Sequence, residues 1–233
     1  MFCVTIWIVH SDDPFELVCG NSILLQDLCY GYLFLLLHLH FTICEVIFND
    51  FSLEINEDDF IVVSGVSGCG KTTLLNIIGS LEPVDSGKVI VDGKDISKKS
   101  NQIEYLRDKA GFLFQNFALI ENKSVFDNLN IVQKGSRSGT SFEEALESVG
   151  LADKINQKVY SLSGGEQQRV ALARLMIKKC KYIITDEPTA SLDRKNAQAV
   201  VSILKQLNSM GKAIILATHD EELKKEGKRL IEL

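Results

Sequence analysis

From about Glu45 onward, short apolar runs alternate with amphipathic stretches and glycine-rich turns. Phe51–Ile55 (FSLEI) alternates apolar and polar side chains, as a strand with one buried face does. Phe60–Ser64 (FIVVS) is continuously apolar, the pattern of a strand covered on both faces. After a glycine-rich turn, TTLLNIIGS predicts a helix beginning near Thr72 and stopping near Gly79. Lys88–Val91 with Asp92-Gly93 predicts a hairpin, and Gly111–Gln115 (GFLFQ) a further strand. Asn116–Tyr160 reads as mostly helical and polar, around a loop at Ser136–Ser141. A helix is predicted from Ser163 to about Lys179, then a strand at Tyr182–Thr185 (YIIT). Ala197, Val200, Val201, Leu204 and Leu207 fall on one buried helical face, Gly211 ends that helix, and Ala213–Ala217 (AIILA) is the next buried strand. Strands alternating with helices imply an α/β fold with a parallel sheet covered on both sides.

Residues 1–44 break this order. No strand is recognisable there, and no Lys or Arg occurs before Lys71. Tyr32–Leu39 (YLFLLLHL) is apolar, but it is far short of the about 20 residues a spanning helix needs. It also has His38 inside it, His40 just beyond and no basic flank, which argues against a span or a secretory leader. The whole chain has 233 residues, enough for one α/β domain, and a formal charge of −6, which excludes the basic face of a nucleic-acid binder. Its six cysteines form no C-x-x-C pair, so neither zinc nor a disulfide framework is expected, and a reducing compartment fits.

Chemistry enters at Gly65-Val66-Ser67-Gly68-Cys69-Gly70-Lys71-Thr72, which matches G-x-x-x-x-G-K-[ST] between a predicted strand and a predicted helix. Glycines let successive N–H groups turn inward around phosphate oxygens, and the helix running on through Thr73 points its positive end at the same anion. Lys71 would reach the β- and γ-phosphates, and the Thr72 hydroxyl would ligate Mg²⁺. A chance glycine-rich turn is the plainer alternative, and the strand–loop–helix context speaks against it. Cys69 reads as a small filler of the loop rather than a redox site. Ser163, Gly164 and Gly165 open a second helix with the capping pattern S-x-x-E to Glu166, a second place for an anion. Taken alone it is only a well-capped helix; two anion sites in one small domain make most sense if two subunits share each nucleotide. The strand YIIT ends in Asp186 and Glu187, placed to hold Mg²⁺ and to act as general base on water. A solvated acidic turn is the alternative there, with Pro188 fixing the loop.

Leu162–Arg169 (LSGGEQQR) resembles the signature of ABC ATP-binding subunits almost letter for letter. The resemblance covers 45–233 and implies a P-loop NTPase fold, the ABC-type nucleotide-binding domain with an antiparallel β lobe and a helical lobe. It further implies ATP and Mg²⁺ as cofactors, a head-to-tail pair with a second ATP-binding subunit, and a separate transmembrane permease at the cytoplasmic face of the plasma membrane. Gln115 matches the Q-loop, which senses Mg²⁺ and the attacking water. His219 of Thr218-His219-Asp220 matches the switch histidine that contacts the γ-phosphate, and Ser191-Leu192-Asp193 resembles the D-loop. The stretch from Phe114 to Leu129 is similar to bacteriocin exporters of the lactococcin 972 type, relatives of lipoprotein-releasing and macrolide-export ATPases, which implies export of a peptide or similar amphipathic cargo. Two departures stand out. The register of the family's adenine-stacking aromatic falls on Thr42, with Phe41 one position off and Phe48 nearer the loop, and Asp58 stands where the family has glycine. An altered start upstream of about Glu45 would explain the first. Two other classes therefore stay open: a non-transport ABC ATPase regulating a cell-envelope or translation machine, and a catalytically poor product of an altered start.

Overall fold

The computed structural model describes residues 3–8, 47–48, 51–190 and 192–233. Its strands are β1 (Cys3–Ile8), β2 (Phe51–Asn56), β3 (Phe60–Ser64), β4 (Lys88–Val91), β5 (Lys94–Asp95), β6 (Ala110–Leu113), β7 (Tyr182–Asp186), β8 (Ala213–Ala217) and β9 (Arg229–Glu232). Its helices are α1 (Lys71–Ile78), α2 (Lys99–Glu104), α3 (Val125–Asn130), α4 (Phe142–Ser148), α5 (Gly164–Ile177), α6 (Arg194–Ser209) and α7 (Glu221–Lys224). Among the described residues no helix is long and apolar enough to cross a membrane. The apolar stretch Tyr32–Leu39, Phe41 and Thr42 lie outside them, as does Ser191.

The central sheet is parallel throughout, in the order β6-β7-β8-β3-β9. Its strands are apolar on both faces because both are covered. Phe60 and Val62 of β3 belong to one core with Ile214 and Leu216 of β8 and the helices α5 and α6. Ile61 and Val63, one residue over, belong to a second core with Ile215, Leu74, Leu75 and Tyr182. Each fully buried Leu, Ile or Val contributes about 1.5–3 kcal/mol before ordering costs, so this period-two division keeps the register from slipping. Helix α1 packs against β7 and β8, which fixes the loop before it to the sheet.

The second sheet is antiparallel, in the order β2-β1-β4-β5. Its hairpin turns at Asp92 (φ 51°) and Gly93 (φ 76°), both left-handed, as a two-residue loop requires. β1 is a strand that sequence reading did not recognise; it lies between β2 and β4, with Val4 opposite both Ile55 and Val91. The turn between β2 and β3 explains the Asp58 departure. Asp58 is left-handed (φ 65°), a conformation glycine adopts freely and aspartate tolerates better than most residues.

Between residues 116 and 160 the chain is less helical than expected. Only α3 and α4 form there, joined by loops and single 3₁₀ turns, with Gly139 and Gly150 left-handed at the breaks. Both helices start with reciprocal caps, Ser124 with Asp127 and Ser141 with Glu144. Asn128, fully buried, holds the incoming loop: Oδ1 accepts from the Ile120 N–H at 2.7 Å, and Nδ2 donates to the carbonyls of Ile120 (3.1 Å) and Ser124 (2.9 Å). Asn128→Ala strands these groups and should cost about 2–4 kcal/mol. A lower urea midpoint at unchanged slope is the expected readout.

Candidate functional site

In the parallel sheet β3, β8 and β7 are neighbours, so the loops leaving their carboxyl ends converge, and ligands of α/β sheets bind there. The loop after β3 wraps into α1. Gly68 (φ 85°) and Gly70 (φ 97°) are left-handed, and a Cβ on Gly70 would overlap Ile47. Lys71 folds over its own loop, donating from Nζ to the carbonyls of Gly65 (2.8 Å) and Val66 (2.9 Å). The Cys69 sulfur lies 3.8 Å from the same ammonium. It also sits where a Cβ on Gly65 would be, so the thiol packs inside the loop.

Thr72 donates from Oγ1 to Asp186 Oδ2 at 2.6 Å, linking the start of α1 to the end of β7. Glu187 follows with a left-handed backbone (φ 46°) and its N–H donated to the Ala217 carbonyl at 2.9 Å. Its side chain is 16% exposed and takes three contacts from the end of β8. Oε1 accepts from the His219 backbone N–H at 3.1 Å and faces His219 Nδ1 at 2.7 Å, while Oε2 accepts from Thr218 Oγ1 at 3.1 Å.

A cleft of about 390 Å³ gathers these groups: Gly65, Ser67, Gly68, Gly70, Lys71, Thr72, Thr73, Gln115, Asp186, Glu187 and His219, with Ile47 at its edge. Val66 and Cys69 shape the loop without lining the cleft. Gln115 lies just past β6 rather than at the end of a strand, and it also borders a second cleft with Phe114, Phe117, Gln168, Glu187 and Pro188.

Ser163, Gly164 and Gly165 are not in either cleft. Ser163 caps α5, and its N–H and hydroxyl both donate to Glu166 Oε2, at 2.8 and 2.9 Å. The backbone N–H bond, chiefly, holds the Glu166 carboxyl below the usual carboxylate range. Ser163 and Gly164 are exposed, whereas Gly165 packs so close to Asn196 that a Cβ would meet its Oδ1 at 2.7 Å. Arg169 donates to that same oxygen at 2.8 Å, and Asn196 donates its N–H to Asp193, the cap of α6, at 3.0 Å.

Sequence reasoning missed Ile47, Gln168 and the part played by Thr218. Gln168 is buried and donates from Nε2 to the Pro188 carbonyl at 2.5 Å, but a glutamine inside a helix carries no local sign of such a partner. In the sequence Thr218 stands out only as the residue before His219.

A hydroxyl and a carboxylate 2.6 Å apart beside a phosphate-type loop suit Mg²⁺, which is commonly held by one or two protein oxygens and completed by substrate phosphates and water. Among the described residues no denser cluster of His, Cys, Asp and Glu offers a metal site.

A glycine-rich loop between strand and helix, with a carboxylate pair at the end of a neighbouring parallel strand, is the arrangement of a P-loop domain. Residues 48–190 match the family described as ABC transporter, and the chain belongs to it. MacB of Bdellovibrio bacteriovorus, a macrolide export ATP-binding/permease protein, is 38% identical over 187 residues, which are 78% of this chain and 29% of that protein. PhnC of Lactobacillus acidophilus, a phosphonates import ATP-binding protein, is 40% identical over 200 residues, covering 78% of this chain and 77% of PhnC. Among solved structures, the cassette MJ0796 in a dimeric post-hydrolysis state bound to ADP and Pi is 35% identical, with a TM-score of 0.69 over 80% of this chain and 86% of that one. The chain is an ATP-hydrolysing ABC cassette related to macrolide-export ATPases.

Proposed function

We propose that this chain supplies the energy for a transporter, working as a head-to-tail pair in which each ATP lies between the cleft of one copy and the Ser163–Gly165 helix start of the other. One observation carries the reading. The loop before α1 and the start of α5 are both of the kind that suits an anion, and the capped start of α5 is exposed and lies outside the cleft that holds Lys71, Asp186 and Glu187. A second copy would bring the missing half.

Residues 45–233 form the working domain, with the β1 strand completing its antiparallel sheet. Gly65–Thr73 would hold the triphosphate, and Gln115, Thr72 and Asp186 would hold Mg²⁺. When bound there, Mg²⁺ neutralises phosphate charge as a Lewis acid. Glu187 takes the proton from the attacking water, and His219 turns from Glu187 towards the γ-phosphate. Closure is favoured by contacts that only the triphosphate makes, and their loss on hydrolysis reopens the pair. The permease would dock beside Gln115, at the cytoplasmic face of a membrane. The similarity of Phe114–Leu129 to bacteriocin exporters supports export of an amphipathic peptide. The kinship with MacB agrees, while the likeness to PhnC makes direction a matter for transport assays with the permease in vesicles.

Complementation tests the shared site. Lys71→Ala disables the cleft and Ser163→Arg the helix start, so each chain alone should be inactive. Mixing them rebuilds one whole site per mixed pair, with a predicted return of measurable ATPase activity that scales with the mixed fraction. Two inactive chains that stay inactive together, although they pair, would refute the shared site.

A further inference from the structure

We propose that Thr218 is a positioning residue for Glu187, an assignment that rests on the reading of Glu187 as the general base. Thr218 is fully buried at the end of β8, and its N–H donates to the Val63 carbonyl at 3.1 Å, so its backbone is fixed by the sheet. Branching at Cβ restricts the side chain further. Its hydroxyl is committed in both directions. Oγ1 accepts from the Asp220 N–H at 3.1 Å and donates to Glu187 Oε2 at 3.1 Å. A hydroxyl has one proton, and with the Asp220 N–H already pointing at the oxygen, that proton is left for the carboxylate.

The two donors on Glu187 differ in kind. The His219 side chain is 73% exposed and free to swing toward a phosphate. Thr218 is locked. While His219 faces the nucleotide, Thr218 and the His219 N–H still hold the two carboxylate oxygens, one each. That keeps the carboxylate plane aimed while it takes a proton, a step that tolerates little misplacement. Glu187 needs such a hold because its left-handed backbone leaves it on a turn rather than in the strand.

The plainer reading is a buried hydroxyl that merely closes the Thr218–Asp220 turn. Kinetics of the purified full chain separate the two, with Thr218→Val and Thr218→Ser made in the natural and in the Glu187→Gln background. Thr218→Val should lower kcat about ten- to a hundredfold, the range for a lost hydrogen bond to a charged group, with ATP affinity within about twofold of the parent. Thr218→Ser should recover most of the rate. In the Glu187→Gln background Thr218→Val should leave the residual rate unchanged, since no base remains to be aimed. Thr218→Ala repeats the measurement if the valine variant does not fold. An unchanged kcat, or an equal loss in both backgrounds, overturns the assignment of Thr218 alone. Full turnover in Glu187→Gln overturns the base as well.

Discussion

Glu187→Gln is expected to cut ATP turnover at least about a hundredfold, within the span for loss of a general base, and to leave the nucleotide bound. Glutamine has the shape of glutamate. Its amide oxygen can keep the contacts from the His219 N–H and ring, and its NH₂ can donate to Thr218 Oγ1, so the turn should survive. What disappears is the negative charge that accepts a proton. A hundredfold loss corresponds to about 2.7 kcal/mol of transition-state stabilisation, while the loop around Lys71 and the Thr72–Asp186 pair stay intact. Closed pairs should therefore accumulate with ATP trapped between them. Single-turnover hydrolysis, read beside size-exclusion chromatography in Mg·ATP, gives both halves of the result. Normal turnover would remove Glu187 from its role, and lost turnover with no ATP-dependent pair would remove the closure step.

The parts of this site that were legible in the sequence are those dictated by local backbone geometry. Gly68 and Gly70 announce a loop because left-handed turns with inward N–H groups need glycine. β3 and β8 announce themselves as apolar runs because both faces are buried. Ser163 and Glu166 announce a helix start because two side chains complete the cap within one turn. The misses depend on distant partners. β1 is set against β2 across more than forty intervening residues, and its pairing rests on backbone hydrogen bonds that no local pattern encodes. β9 is short, charged at both ends and largely exposed on the edge of the sheet, so its four residues resemble a loop. The contacts of Gln168 with Pro188 and of Thr218 with Glu187 join residues 20 and 31 positions apart, which only the parallel order of the strands brings together.

Lys71→Ala should act one step earlier and weaken binding itself. The Lys71 ammonium is already held over the loop by the carbonyls of Gly65 and Val66, in the cleft that also contains Thr72, Asp186 and Glu187. A cation fixed in place loses little freedom when a phosphate arrives, and its charge-assisted bond is retained in full. Without it the cleft keeps its N–H groups, but the repulsion between an anionic ligand and the carboxylates of Asp186 and Glu187 is left uncompensated. Losing a charge-assisted contact of about 3 kcal/mol weakens ATP about a hundredfold, which calorimetric titration with Mg·ATP would read as a dissociation constant raised by that factor. Thermal unfolding should shift little, because Lys71 is only half-buried and bonds two carbonyls that water can reach in its place. Lys71→Arg should not rescue: a planar, forked guanidinium cannot fill the place of a compact ammonium inside so tight a turn. The two variants thus stop the cycle on opposite sides of closure, one with ATP locked in and one with ATP weakly held. A Lys71→Ala chain that still bound Mg·ATP at natural strength would show that the loop is not where the triphosphate is gripped, and the assignments built around that loop would fall with it.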